Sequence, residues 1–245
     1  MATENNPTLL IVHGGWYVPD SYEKLTNALR GAGFEVHIPR LLSMNNARPP
    51  NADLISDSDL IRSYATSLVE AGRTVVVVLH SYGGQGLTGG ISHLIYLTGF
   101  ALVQGKSMVD VVAEFGHMDD MPIAFGFDED RSCVPNFPKE GLVGQPFADQ
   151  LDPKELKTYL ASLCRWNGEY MHQPLQNTPA WSDDVKVSYI YTRTDLTNPL
   201  YQQKSFVEFM EKGGKQIETV KVDSGHSPNL TATKEVDAII KFTSM

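Results

Sequence analysis

The sequence predicts an α/β domain: a mainly parallel sheet of about six strands, flanked by helices on both faces and interrupted by one insertion. Three observations carry this. Short apolar runs dominated by β-branched residues recur along the chain. Stretches of helical periodicity lie between them, the alternation that builds parallel sheets. The length, 245 residues, is enough to bury a large core and falls within the range of one α/β domain.

Taken in order, Thr8 to Val12, Thr74 to Leu79, Leu94 to Leu97 and Val187 to Tyr191 read as buried strands bounded by turn signals. Glu35 to Ile38, after Gly31-Ala32-Gly33, and Glu218 to Val222, after Gly213-Gly214, complete the set. Tyr22, Leu25, Ala28 and Leu29 mark a helix that stops at Gly31. Ile61, Tyr64, Ala65, Leu68 and Val69 share one face of another, with Gly72 placed to end it. Asn198-Pro199 and Ser227-Pro228 each offer an N-cap followed by proline, ahead of Phe206, Val207 and Met210 and of Val236, Ile239 and Ile240. Residues 1–102 and 182–245 are therefore expected to form the core. Residues 103–181, rich in proline, glycine and aromatics and without a clear strand pattern, read as an inserted lid.

Composition excludes several classes of function. The balance of 20 Lys+Arg against 29 Asp+Glu, net charge -9, repels phosphate backbones, so no nucleic-acid partner is expected. No apolar run approaches the ~20 residues needed to span a bilayer, and the first residues lack a basic, then apolar leader pattern. The expectation is a soluble cytoplasmic protein acting on a small molecule, without a membrane partner and with a homodimer left open. Cys133 and Cys164, the only cysteines, are too few for a disulfide framework and read as reduced packing residues. The seven histidines are scattered, with no His-Glu-x-x-His and no cysteine pairs at zinc spacing, so no metal is expected. Gly84-Gln85-Gly86-Leu87-Thr88-Gly89 matches the dinucleotide fingerprint. A strand follows at once, however, and ends in Thr98-Gly99-Phe100 rather than in an acidic residue, so no cofactor is expected.

The chemistry is expected at Leu79-His80-Ser81-Tyr82-Gly83-Gly84. A serine hydroxyl is a poor nucleophile until a base takes its proton, and it must be presented on a tight turn near oxyanion donors. Ser81 follows a strand directly and precedes two glycines that let the backbone pack closely, although Leu79 stands where G-x-S-x-G has its first glycine. His226, between the last strand and the last helix, is the candidate base. Asp195, in the loop after Val187 to Tyr191, is the candidate acid, and Asp223 is the second choice. The order Ser, Asp, His and the position at the carboxyl end of the sheet suit this chemistry. Oxyanion donors are expected from the Tyr82 N–H and from the loop His13-Gly14-Gly15-Trp16. His13 and His80 flank the site and are expected to order loops rather than to react.

These motifs resemble the plant methylesterase and hydroxynitrile lyase branch of the α/β-hydrolases, and more closely small esterase-like proteins of fungi and bacteria. The shared pattern is a His-Gly-x loop, a Ser-x-Gly-Gly elbow, an aspartate after the penultimate strand and a Gly-His near the end, here Gly225-His226. The resemblance runs from about Thr8 to the C-terminus and is weakest in the insertion. It implies the α/β-hydrolase fold, Gly15 as the second oxyanion donor and the insertion as a cap that roofs the pocket. Gly14, Trp16, Phe115, Trp166 and Trp181 are the candidate substrate-binding residues, and their apolar character points to a small apolar or aromatic ester or lactone. The alternative is a lyase using the same triad as an acid-base device. In that branch a lysine follows the triad histidine and a threonine follows the first-strand histidine. Ser227 and Gly14 stand there instead and favour an esterase. One departure concerns Tyr82 to Gly90: five of these nine residues are glycine, leaving little room for the helix of about three turns that normally recrosses the sheet.

Overall fold

The computed structural model describes residues 6–85, 91–136, 140–144, 147–232 and 234–244. All six expected strands are present: β1 (Thr8–Val12), β2 (Val36–His37), β3 (Val75–His80), β4 (His93–Leu97), β5 (Lys186–Thr192) and β6 (Ile217–Val222). They form one sheet in the order β2-β1-β3-β4-β5-β6, every pair parallel. The principal helices are α1 (Glu23–Gly31), α2 (Leu54–Glu70), α3 (Met108–Glu114), α4 (Pro153–Ser162), α5 (Leu200–Lys212) and α6 (Lys234–Thr243).

Alternate residues of each strand point to opposite faces, and here both faces are dry. Leu10, Val12, Val77, Leu79, Tyr96 and Tyr189 pack with Ile61, Ala65 and Leu68 of α2 and Phe206, Val207 and Met210 of α5. Leu9, Ile11, Val76, Val78, Ile95 and Ile190 pack with Leu25 and Leu29 of α1 and Val236, Ile239 and Phe242 of α6. Two covered faces explain why the strands read as unbroken apolar runs. Full burial of one such side chain contributes roughly 1.5–3 kcal/mol.

The helix ends differ from expectation in an informative way. Helix α2 starts in a capping box: the Asp53 carboxylate accepts from the Ser56 N–H (2.9 Å), and the Ser56 hydroxyl lies 2.7 Å from the Asp53 N–H. It stops where Gly72 turns left-handed (φ +80°), as anticipated. At the end of α1 the left-handed residue is Gly33 (φ +91°), not Gly31. Neither expected cap bonds a helix amide through its side chain, although Ser227 does hold the N-cap position, with Pro228 after it, of a short turn that precedes α6. Pro199 holds the N-cap of α5, while Pro228–Thr231 makes a separate single turn ended by left-handed Ala232 (φ +45°) before α6. The side chains of Asn198 and Ser227 are engaged elsewhere: Asn198 Nδ2 donates to the Thr98 carbonyl (2.9 Å), and Ser227 Oγ meets the Tyr17 hydroxyl (2.9 Å).

Residues 103–181 contain α3, α4, several single helical turns and a feature the sequence pattern did not announce. Phe125–Phe127, Ser132–Pro135 and Trp166–Asn167 form a three-stranded antiparallel sheet. Strands of two to four residues are too short to display a period of two. Among the described residues, no helix is long and apolar enough to cross a membrane.

Candidate active site

A parallel sheet delivers the carboxyl ends of its strands to one edge, and the loops there can meet. Three non-glycine residues in the loops beyond adjacent strands take positive φ: Trp16 (66°), four residues after β1, and Ser81 (52°) and Thr98 (43°), directly after β3 and β4. Such conformations are costly, and tight packing keeps the turn at Ser81 in place. A Cβ on Gly83 would lie 2.5 Å from the Val12 carbonyl oxygen, and one on Gly84 2.3 Å from that of Phe100. The Phe100 N–H donates to the Ser81 carbonyl (3.0 Å), so the turn is pinned on both flanks. A single 3₁₀ turn, Ser81–Gln85, follows β3, and the rest of the glycine-rich segment, 86–90, lies outside the described residues.

Ser81, His226 and Asp195 meet at this edge, each under 6 % exposed. His226 Nε2 is 2.8 Å from Ser81 Oγ, and His226 Nδ1 is 2.8 Å from Asp195 Oδ2. With the Nδ1 proton donated to the carboxylate, Nε2 is left as the acceptor facing the hydroxyl. Asp195 holds its charge through five donors. Oδ2 also accepts from the hydroxyls of Thr98 (2.7 Å) and Thr192 (3.0 Å), and Oδ1 accepts from the N–H groups of Thr197 (2.9 Å) and Asn198 (2.8 Å). Burial alone would raise its pKa. His226 and the hydrogen bonds outweigh burial and hold the carboxyl below its ordinary range. Asp223 lies elsewhere, half-exposed and paired with Arg193 (2.9 Å) and Lys234 (3.5 Å).

The two flanking histidines order loops. The Gly14 N–H donates to the Tyr22 hydroxyl (3.0 Å), whose own proton goes to His80 Nδ1. His80 Nε2–H then donates to the His226 carbonyl (2.9 Å), so one line of hydrogen bonds ties the loop after β1 to the backbone of His226. His13 donates from Nδ1 to the Gly14 carbonyl (3.1 Å) and accepts the Leu41 N–H at Nε2 (3.0 Å). Burial is the main reason both titrate low, His80 at about 3 and His13 at about 4.

Of the candidate pocket residues, Gly14 abuts Ser81, since a Cβ on Gly14 would sit 2.9 Å from the serine Cβ. Gly15 abuts Trp166, whose ring would lie 3.0 Å from an added Cβ. Trp16 packs edge-on against Trp166 (ring centroids 5.9 Å). Trp181 and Phe115 are turned toward α5. The Trp181 indole donates to the Leu102 carbonyl (2.9 Å) and packs on Phe209, while Phe115 packs on Tyr201. Cys133 and Cys164 are buried free thiols, pushed by burial to about 12 and about 11 and so inert as nucleophiles. Among the described residues, no cluster of three or more His, Cys, Asp or Glu side chains could hold a metal.

A family model described as the alpha/beta hydrolase family matches residues 9–239. The chain belongs to the α/β hydrolase family, and it is an enzyme of that class. It is 26% identical to "Probable hydrolase R7" of Phoma sp., over 96% of each chain. Among solved structures it is similar to the pyrethroid hydrolase PytH (TM-score 0.72, 18% identity, 97% of each chain covered). It is also similar to a variant of polyneuridine aldehyde esterase (TM-score 0.71, 16% identity, 96% of this chain and 98% of that one). These likenesses to solved structures show a shared α/β-hydrolase fold.

Sequence reasoning missed the residues that support Asp195. Thr98, Thr192 and Asn198 surround Asp195, and Gln203 in turn binds the backbone N–H and carbonyl of Thr192 (both 3.0 Å). The one available signal for Thr98 was its place at the end of β4, beside the loop that carries Asp195.

Proposed function

We propose that this enzyme is a serine hydrolase of small apolar or aromatic carboxylic esters or lactones, working through an acyl-enzyme. The observation that carries the reading is the unbroken line Asp195–His226–Ser81, with both contacts at 2.8 Å. Ser81 Oγ attacks the substrate carbonyl as its proton passes to His226 Nε2. The tetrahedral intermediate collapses, the leaving oxygen takes that proton, and an acyl ester remains on Ser81. Water attacks in the same way, and the acid is released.

The negative oxygen formed at each attack would be held by the N–H groups of Gly15 and Tyr82. Tyr82 lies in the first turn of its 3₁₀ segment, where an amide has no intrahelical acceptor. The Gly14 amide is taken by Tyr22, and the next amide of that loop, that of Gly15, is the one assigned to substrate. Each such donor is worth a factor of roughly 10²–10³ in rate. Residues 103–181 would act as the cap, with Trp166 over Gly15 and Trp16 beside it supplying the apolar wall. The esterase and hydrolase names of the similar proteins support this chemistry. So does Ser227, buried and bound to Tyr17 where the lyase branch has a lysine beside the histidine.

The test is labelling with a fluorophosphonate probe, which reacts with activated serines. Wild type should be labelled and Ser81→Ala should not. A folded wild-type protein that takes no label would contradict the proposal.

A further inference from the structure

Beneath the nucleophile turn lies a second buried carboxyl group that the triad does not use. Asp57, in the first turns of α2, is 3% exposed. Its Oδ1 accepts from the Ser43 N–H (3.1 Å). Its Oδ2 accepts from the hydroxyls of Ser43 (2.6 Å), Tyr82 (3.2 Å) and Tyr170 (3.3 Å). All of these donors are neutral, and burial raises the Asp57 pKa despite them. A buried carboxyl without a cationic partner is costly even when hydrogen-bonded, so a role beyond packing has to be sought for it.

The donors come from three separate pieces of chain. Ser43 belongs to the loop after β2. Tyr82 is the residue after Ser81. Tyr170 belongs to the 103–181 segment, where its ring stacks on Trp166 (centroids 6.1 Å). The Tyr82 ring packs against both Trp166 (5.2 Å) and Tyr170 (5.3 Å), and Trp166 presses on Gly15. Both backbone amides assigned above to the oxyanion thus rest on one aromatic cluster. Tyr82 belongs to that cluster directly, and Gly15 reaches it through Trp166. Asp57 is the polar anchor of the cluster.

We propose that Asp57 is a positioning residue: by tethering the hydroxyls of Tyr82 and Tyr170 it fixes the spacing of the two oxyanion donors and docks the cap on the nucleophile turn. The proposal rests on the serine-hydrolase reading. A displacement of about 1 Å at such donors is enough to cost up to ~10²-fold in rate, so loss of a tether that leaves the amides in place should cost about tenfold.

The experiment compares wild type with Asp57→Asn, Tyr82→Phe and the double variant. Four quantities are read: the rate of fluorophosphonate labelling, kcat and KM on p-nitrophenyl acetate, and Tm. Tyr82→Phe keeps the ring and the amide and removes only the hydroxyl, so it remains informative if Asp57→Asn folds poorly. The expected result is labelling and kcat reduced about tenfold in each single variant, with KM within about twofold. The double variant should be no slower than the slower single variant, because both changes break one tether. Folded variants that label at the wild-type rate would overturn the inference while leaving the hydrolase reading intact, as would losses that multiply in the double variant. A wild type that takes no label would overturn both.

Discussion

Asp195 reaches Ser81 through His226, Asp57 holds the hydroxyl of the neighbouring Tyr82, each is almost sealed from solvent, and their surroundings push their carboxyl groups in opposite directions. Asp195 faces a histidine that becomes a cation during the proposed reaction, and it accepts five hydrogen bonds, two of them from backbone amides. Its pKa falls. Asp57 is met by neutral hydroxyls and backbone amides, and its pKa rises because burial outweighs them. Burial penalises both ions, and the difference lies in what is brought to meet the charge. A group that must stabilise a developing cation is surrounded so that it stays ionised. A group that only holds neighbours in place can do so with far less compensation.

The comparison can be broken most directly at the acid itself. Asp195→Asn should lower kcat about 10⁴-fold, because an amide at that position favours the wrong imidazole tautomer, whereas Asp223→Asn should leave kcat within about twofold. Steady-state kinetics of the two variants would show it, and equal losses would erase the distinction between a buried triad acid and a surface ion-pair residue. Asp57→Asn should fall between them.

The next effect in size concerns acid stability, where the same burial logic acts on histidines. His13 and His80 titrate at about 4 and about 3 in the folded protein against an ordinary value near 6.5. Their folded pKa values are depressed, so the unfolded chain binds more protons between these values. Stability contributed by the neutral rings is complete above about pH 6.5 and is lost as pH falls toward 4, by about 3 kcal/mol for each ring at pH 4. Urea denaturation from pH 7 to 4 should show this slope, steepened by buried His93, which also titrates at about 4, and His80→Gln should flatten it by about a third. Asp57 works with the opposite sign. Its raised pKa favours the folded state below the ordinary carboxyl range, and that contribution fades as pH rises through the raised value. The stability lost in Asp57→Asn should therefore be larger at pH 5 than at pH 8.

Smaller effects separate individual donors. Thr98→Val removes a 2.7 Å hydrogen bond to the Asp195 carboxylate and should cost about 1.5–3 kcal/mol in chemical denaturation. Tyr170→Phe removes a 3.3 Å bond to Asp57 and should cost nearer 1 kcal/mol. The smallest change is expected at the surface: Arg193→Ala breaks the exposed pair with Asp223 and should shift stability by less than about 0.5 kcal/mol.

What could be read from sequence follows the same divide. The strands were legible because both faces of the sheet are covered, so Val75 to Val78 and Leu9 to Ile11 carry no polar interruption. Ser81, Asp195 and His226 could be placed because each follows a strand that ends at the same edge. Thr98, Tyr22 and Asp57 could not, since their roles exist only when distant loops meet, and a buried aspartate inside a helix looks in sequence like a solvated one. The three-stranded sheet within 103–181 was hidden by its two- to four-residue strands, and Asn198 and Ser227 look like side-chain caps of α5 and α6 until tertiary partners claim their side chains.

The central claim is that Ser81 carries the acyl group. Rapid quenching of the enzyme with p-nitrophenyl acetate, followed by intact-mass and peptide analysis, tests it directly. The account predicts one acetyl group per chain, formed before steady state, on the peptide that contains Ser81, and lost over time in water. Turnover of the ester with Ser81 unmodified throughout, or with the acetyl group on another residue, would contradict it.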